Sequence, residues 1–424
     1  MSRRENFFKN RLSFRGQTSI IDTYVYRTRR KYGEGARKNT PVAPEKTMVE
    51  IVEVKTNKQK RLFADFPLKL YKDCPYYVPP MYSEEKNILN PKSNFNLANC
   101  DCKCFLAYRD GELVGRIAGI VHNQANKLWN EKNIRFSRFD AIDDLEVFEA
   151  LFKAVENYGR ARGLNTLHGP WGFNDTDREG MQTYGFSERS TYATNYYYPY
   201  FCENMKKLGF EDESKWVERN FTVPERPYER ILRIAAKMKA RLKVTDVAET
   251  MSARQIVKKY GAKFFETYNE SYSVLDGFAP IDKRQQKNVL KQFALAINTR
   301  YFSCLIDEKG DCAGFAVVLP SLCEPLQKSK GRLFPFGWMG VLKAIRRPKE
   351  LEMALIGIKK EYKFTGINSI LMVRMMCNIV EDNIQKIESN PMLETNFSIQ
   401  QNWKFAENEI IKKRQTYKRA IKND

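Results

Sequence analysis

The sequence predicts an α/β (α+β) protein built as two tandem halves. Three observations carry this reading. At 424 residues the chain is longer than one hydrophobic core usually serves. A β-α-α-β-β-β-α-β-α-β order of patterns is legible twice along it. Each half also holds a hairpin signal at the same place in that order, Asp110-Gly111 in the first and Lys309-Gly310 in the second. The two halves share little sequence identity, so the repeat speaks for architecture and not for function.

The first half spans 48–225. Val49–Val54 reads as a strand and Lys58–Leu70 as a helix, followed by hairpin strands at Phe105–Tyr108 and Leu113–Val121 and a strand at Ile134–Phe139. The next helix is the best marked in the chain. Asp143 or Asp144 is its N-cap, Leu145, Phe148, Leu151, Phe152 and Val155 share one face, and Gly163 ends it. A strand at Asn165–His168, a helix near Phe201–Leu208 and a strand at Trp216–Val223 close the unit. A basic amphipathic helix within 226–243 links it to the second half, 244–424. There the predicted elements are strand Val244–Val247, helices Ala253–Tyr272 and Gln285–Ala296, hairpin strands Tyr301–Ile306 and Ala313–Leu319, strand Leu351–Ile358, helix Gly366–Val380, strand Ile384–Ile387, helix Phe397–Phe405 and strand Ile410–Tyr417.

Composition narrows the class. With 42% apolar and 13% aromatic residues the chain can fill packed cores. It has no apolar run near membrane-spanning length and no secretory core, so a cytoplasmic, soluble or peripheral protein is expected. An odd nine cysteines suit reduced thiols. Cys100, Cys102 and Cys104 alternate along a strand, and nothing nearby completes a metal site, so packed thiols and no metal are expected. Of the formal +21, residues 1–47 carry +8 as a basic tail expected to be mobile. Met48 also reads as a possible initiator, which mass spectrometry of the native N-terminus tests. The charge admits a nucleic acid, an anionic membrane or a polyanionic coenzyme. No helix-turn-helix, zinc-finger or RNA-binding pattern is present, so nucleic acid is the weakest of the three.

The chemistry concentrates in IGIKKEYKFTGINSILM, Ile356 to Met372. A strand runs through Ile358 and Lys359 into Lys363-Phe364-Thr365-Gly366-Ile367-Asn368 and then an apolar helix. The leading N–H groups of such a helix lack internal partners and lie at its positive end, which cradles a pyrophosphate. Gly366 permits close approach, and Lys359, Lys360 and Lys363 add charge. An ordinary strand–helix turn is the alternative. At the matching junction the first half has FDAIDDLEV, without Gly and with three aspartates that repel an anion. Its next stretch, HGPWGFNDTDREGMQTYGF, is rich in polar groups suited to orient and deprotonate an amine. His168 and Asp177 are candidate bases there, and Asn174, Asp175 and Glu179, with His122, are candidate acceptor-binding residues; a solvated loop is the alternative. Glu394 is the rival base in the second half.

KFTGIN resembles the acyl-CoA loop of the GNAT family, in which Arg or Gln precedes xxGxG or xxGxA; Lys363 and Asn368 are departures. The resemblance implies two tandem GNAT (acyl-CoA N-acyltransferase) domains, each a mixed, mostly antiparallel sheet flanked by helices, with acyl-CoA as co-substrate. It also places Asn396 at the position of a site Asn and Trp403 where the family carries a Tyr acid. The runs YVPPMYSEEKNILNP, FLAYRDGELVGRIAGIV, LHGPWGF, YYPYFCENMKKLGF, YNESYSVLDGFAP and LETN resemble a bacterial tandem subfamily that includes ceramide synthase-like enzymes. That implies a long acyl chain moved onto a sphingoid or other amino-lipid amine. GNAT hairpins are short at the position where 321–350 is inserted here. The insert holds Phe336, Trp338, Arg346, Arg347 and Lys349, suited to line a lipid site or to meet an anionic membrane at the inner face of the cytoplasmic membrane. N-acetylation of a small amine or peptide, a nucleic-acid-binding regulator and a degenerate binding module are the alternatives.

Overall fold

The computed structural model describes residues 47–275, 278–396 and 406–422. The expected tail, as far as residue 46, and the expected helix at 397–405 with Trp403 lie outside the described residues.

The first half runs β1 (Glu50–Glu53), α1 (Asn57–Leu70), α2 (Tyr82–Lys86), β2 (Cys100–Arg109), β3 (Glu112–His122), α3 (Asn123–Trp129), β4 (Asn133–Ala141), α4 (Leu145–Arg160), β5 (Thr166–Gly169), β6 (Met181–Tyr184), α5 (Tyr200–Lys207) and β7 (Glu211–Phe221). Next come α6 (Glu229–Leu242), β8 (Thr245–Asp246), α7 (Ala253–Tyr272), α8 (Lys283–Ala296), β9 (Phe302–Ile306), β10 (Cys312–Pro320), α9 (Cys323–Ser329) and α10 (Gly337–Arg346). The chain closes with β11 (Glu350–Ile358), α11 (Ile367–Glu381), β12 (Lys386–Ser389), β13 (Met392–Leu393) and β14 (Asn408–Ala420).

Local chemistry sets the helix starts. Thr56 and Gln59 form a capping box on α1, and Ser252 and Gln255 form one on α7. Asp144 is the N-cap of α4, its carboxylate accepting the Glu146 N–H. Cys100 and Cys104 are buried in one apolar cluster, with Cys102 packed against it, as strand alternation requires.

The strands form a single mixed sheet in the order β1-β2-β3-β4-β5-β14-β7-β12-β11-β10-β9-β8. Among the described residues only β4/β5 and β11/β12 pair in parallel; the remaining ladders are antiparallel. The order is nearly palindromic about the β14/β7 pair. Each half contributes five strands in sequence order and then gives its last long strand away. β7 pairs with β12, while β14 crosses back to pair with β5. The two halves are therefore stitched through exchanged strands.

The seam is charged and dry. Lys412 stands opposite Glu218 in the ladder, and the Lys412 Nζ lies 3.0 Å from the Glu218 carboxylate; Arg414 bonds its other oxygen. All three side chains are fully buried. Burial alone would raise the Glu218 pKa, but Arg414 and Lys412 outweigh it and hold the carboxyl ionised. Glu388 on β12 lies 3.4 Å from the same Lys412. Removing one partner strands the others without solvent, so Glu218→Ala should cost about 3–5 kcal/mol of unfolding free energy. A urea melt showing less than ~1 kcal/mol would mean water reaches the cluster.

Candidate active site

The parallel ladder between β11 and β12 is short. It joins Glu350–Met353 to Lys386–Ser389 and ends where the Asn390 N–H reaches the Met353 carbonyl at 2.9 Å. At that point the β10/β11 register slips between Val317 and Val318, leaving Ala354 as the extra residue of a bulge. The bulge turns the rest of β11 away, and the two strands splay. A cavity of about 680 Å³ fills the opening. Ala354, Leu355 and Ile356 form one wall, Asn390 to Leu393 the other, and Met372, Met375, Met376 and Ile379 of α11 line it as well. The volume suits a bound small molecule.

Beyond Ile356 the same strand leads to the loop singled out in the sequence. Gly366 has φ +87°, a left-handed conformation that only glycine adopts cheaply, and is the N-cap of α11. A Cβ there would press on Met238 of α6 at 3.1 Å. Arg241 of α6 donates to the Thr365 carbonyl at 2.8 Å, so the linker helix braces the loop. The Thr365 hydroxyl donates to the Tyr362 carbonyl. Phe364 is almost wholly exposed. Lys359 is taken up by Asp311 at 2.9 Å and Glu361 at 3.1 Å, whereas Lys360 and Lys363 are exposed. The Ile358 N–H donates to Ser271 at 3.0 Å. The leading N–H groups of α11, the glycine and these lysines fit a pyrophosphate, and the splayed strand leads from them to the cavity.

The first half supplies the cavity's polar end. Asn174, Asp175, Asp177 and Glu179, all of the stretch after β5, line it. The Tyr268 hydroxyl of α7 donates to Asp175. Burial pushes the Asp175 carboxyl up to about 6, against the pull of that hydrogen bond. Burial, and then the neighbouring Asp175, push Glu179 well above the usual carboxylate range. Tyr272 stacks on Tyr268 with ring centroids 4.6 Å apart and also lines the cavity, its hydroxyl in reach of the Ile356 backbone on the splayed wall. Two carboxyls with raised proton affinity thus share one cavity with a strand edge and a phenol.

No family model matches the chain. It is similar to Protein YghO of Escherichia coli (strain K12), 24% identical over 346 residues that cover 79% of this chain and 86% of that protein. It is also similar to the bacterial ceramide synthase of Caulobacter vibrioides (strain NA1000 / CB15N), 25% identical over 338 residues, 77% of this chain and 85% of that one. Among solved structures, a tandem GNAT protein from the clavulanic acid biosynthesis pathway superposes with a TM-score of 0.52 at 10% identity, over 89% of this chain and 99% of the other. The chain has the tandem GNAT fold.

The two halves of this tandem GNAT fold treat the same junction differently. In the first, the β4/β5 ladder ends at Arg135 and His168, and the Trp171 N–H then closes onto the Phe136 carbonyl at 3.0 Å. Phe136, Phe139, Phe148, Phe152 and Phe201 fill the space behind with rings 4.6–6.1 Å apart. Asp144 at the head of α4 pairs with Arg109, Asp143 accepts from Asn204 at 3.0 Å, and the Tyr200 hydroxyl donates to the Ala141 carbonyl at 2.7 Å. At this helix head aspartates bonded to protein groups stand where the second half has Gly366 and exposed lysines.

Several residues proposed from sequence lie elsewhere in the tandem GNAT fold. His122 is buried at the N-cap of α3, where its Nδ1 accepts the Ala125 N–H at 3.2 Å. Burial, then Arg135, lower its pKa to about 3, so it is a neutral cap and not a lining residue. His168 is buried against Glu213 at 3.3 Å and does not line the cavity. Asp177 does line it, but its carboxylate is committed: it takes two bonds from Arg138, at 2.8 and 3.1 Å, and the Phe173 and Arg178 N–H groups. Burial would raise its pKa, yet Arg138 holds it below the usual range, which suits a strut better than a base. Glu394 is half-buried, its N–H bonded to Lys215, and only its neighbours Leu393 and Asn396 line the cavity. Asn174 is turned toward Asn96, 2.9 Å away. Phe336 and Trp338 stand in solvent, away from the cavity.

Tyr268 and Tyr272 were not among the sequence candidates. On a helix their i, i+4 spacing reads as core packing. Among the described residues no His/Cys/Asp/Glu group could hold a metal, and no helix is long and apolar enough to cross a membrane.

Proposed function

We propose that the protein is an acyl-CoA-dependent N-acyltransferase that moves a long-chain acyl group to the amine of a sphingoid or other amino lipid. The splayed β11/β12 opening carries the proposal: a largely apolar cavity far roomier than an acetyl group needs, with one carboxyl-rich end. The likeness to a protein named bacterial ceramide synthase supports the lipid substrate.

In this reading Lys360, Lys363, Gly366 and the head of α11 hold the coenzyme's phosphates, and β11 guides its acyl end into the cavity. The acceptor enters from the first half. An amine reaches it as an ammonium, so a base must take a proton before the nitrogen attacks the thioester carbonyl. Asp175, pushed up to about 6, and Glu179, raised well above the usual carboxylate range, have the proton affinity for that role. The carbon–nitrogen bond forms, the carbon–sulfur bond breaks, and the departing thiolate takes a proton. Tyr272, the phenol beside the Ile356 backbone, is placed to give it, and the second proton that the nitrogen loses as the amide forms restores the phenol. The first half thus brings the acceptor and its base, while the second brings the acyl donor.

Mass spectrometry of turnover tests the substrate class. Palmitoyl-CoA with a sphingoid amine should yield the amide at least about tenfold faster than acetyl-CoA, since each additional buried CH₂ contributes about 0.8 kcal/mol. Preference for acetyl-CoA with a small amine would replace this reading by N-acetyltransfer. No amide from any acyl-CoA would remove it.

A further inference from the structure

The insert between β10 and β11 is hydrogen-bonded to the first half at one end and exposed at its apolar tip. α9 is fastened to the first half: Gln327 donates to the Pro75 and Tyr77 carbonyls at 2.8 and 3.0 Å. The Tyr82 N–H donates to the Gly331 carbonyl at 2.9 Å, and Arg332 bonds Asp65 while lying over the Tyr82 ring. Immediately beyond this anchor the apolar groups face solvent. Phe334 is 81% exposed, Phe336 74%, Met339 55% and Trp338 45%, and α10 has no buried residue at all. Soluble surfaces rarely cluster large apolar side chains in this way without a partner. The flank is basic. Lys343, Arg346, Arg347 and Lys349 are exposed and make no ion pair among the described residues. Residues 321–350 hold seven Lys/Arg against two Asp/Glu.

We infer that this tip docks the protein on an anionic lipid surface, with Phe334, Phe336, Trp338 and Met339 entering the headgroup–acyl boundary and the cations of α10 lying over the lipid phosphates. Aromatic and apolar groups backed by Lys and Arg are the pattern of an interfacial helix. A protein partner would call for polar groups matched to a fixed surface; in residues 333–349 every charged side chain is basic and the Trp338 indole is the one other polar group. The anchor also gives the docking a purpose. α2, against which Arg332 and Gly331 sit, contributes Ser83 and Glu84 to the cavity, so a docked tip brings the cavity wall toward the source of a lipid substrate. That purpose rests on the lipid reading above; the docking itself does not.

Sedimentation of the full chain with phosphatidylglycerol–phosphatidylcholine vesicles tests it. The native protein should bind these vesicles, bind phosphatidylcholine alone at least about tenfold more weakly, and release in high salt. Phe334→Ser/Phe336→Ser/Trp338→Ser should lose about tenfold in vesicle affinity while keeping its melting temperature and its turnover of detergent-dispersed substrate. Arg346→Glu/Arg347→Glu should do the same. Both variants keep the basic tail, so unchanged binding would assign the interaction to the tail and overturn the proposal. Failure of the native protein to bind would also overturn it, as would a dimer in solution that the triple variant dissociates. Binding without lipid turnover would leave the docking standing and remove the lipid-acyltransferase reading.

Discussion

Glu179→Gln should lower kcat/KM by about 10²–10⁴-fold, the range expected when a positioned base is lost. The same substitution should leave long-chain acyl-CoA affinity within about twofold, because the carboxyl lies at the acceptor end of the cavity. Asp175→Asn should lower turnover too, and the two effects should not add, since Asp175 is one of the groups that raise Glu179. The pH profile follows from the same burial. The base must be deprotonated, so kcat/KM should rise with pH through an apparent pKa near 6 or above, higher than an ordinary carboxylate gives. Stability runs the opposite way. A carboxyl whose folded pKa is raised contributes stability below its unfolded value, near 3.8, and loses it as pH climbs through the folded value of about 6. Asp175→Asn should therefore raise Tm at pH 8 and leave it unchanged at pH 3, while activity falls. Lower Tm at both pH values, with activity unchanged, would reduce the pair to structural groups.

Gly366→Glu should abolish binding of acyl-CoA. It puts a carboxylate at the positive end of α11, and its Cβ meets Met238 in a conformation that costs about 1 kcal/mol for any other residue. Gly366→Ala shares the backbone strain without the charge and should weaken binding by roughly tenfold. Calorimetry on both variants separates strain from electrostatics. Equal affinity for Gly366→Glu and native protein would move the coenzyme site away from this loop.

Local chemistry made the elements legible in the sequence. Asp144 caps α4 as expected, Asp110-Gly111 turns the first hairpin, and Gly366 heads α11. Those features depend on neighbours in the chain. The exchange of β7 and β14 does not: the alternation of each strand is satisfied by any partner presenting a matching face, so only the folded seam around Glu218, Lys412 and Arg414 reveals who pairs with whom. The short helices of the insert were obscured by their Gly, Pro and aromatic content. In the site, rarity misled. The two histidines drew attention as functional types, yet one caps a helix and the other is buried against Glu213. Asp175 and Glu179 were visible as polar residues in a turn, but their raised proton affinity comes from burial in the folded protein, which no local pattern announces. Nothing local marks Tyr272 either, because the Ile356 backbone it faces lies on another element.

In the function proposed above only the second half takes acyl-CoA; the matching helix head in the first half carries Asp144, paired with Arg109. Isothermal calorimetry of long-chain acyl-CoA with the intact protein measures this most directly. One molecule should bind per chain, and Gly366→Glu should remove it. A stoichiometry of two, or binding that survives the loss of Gly366, would contradict it.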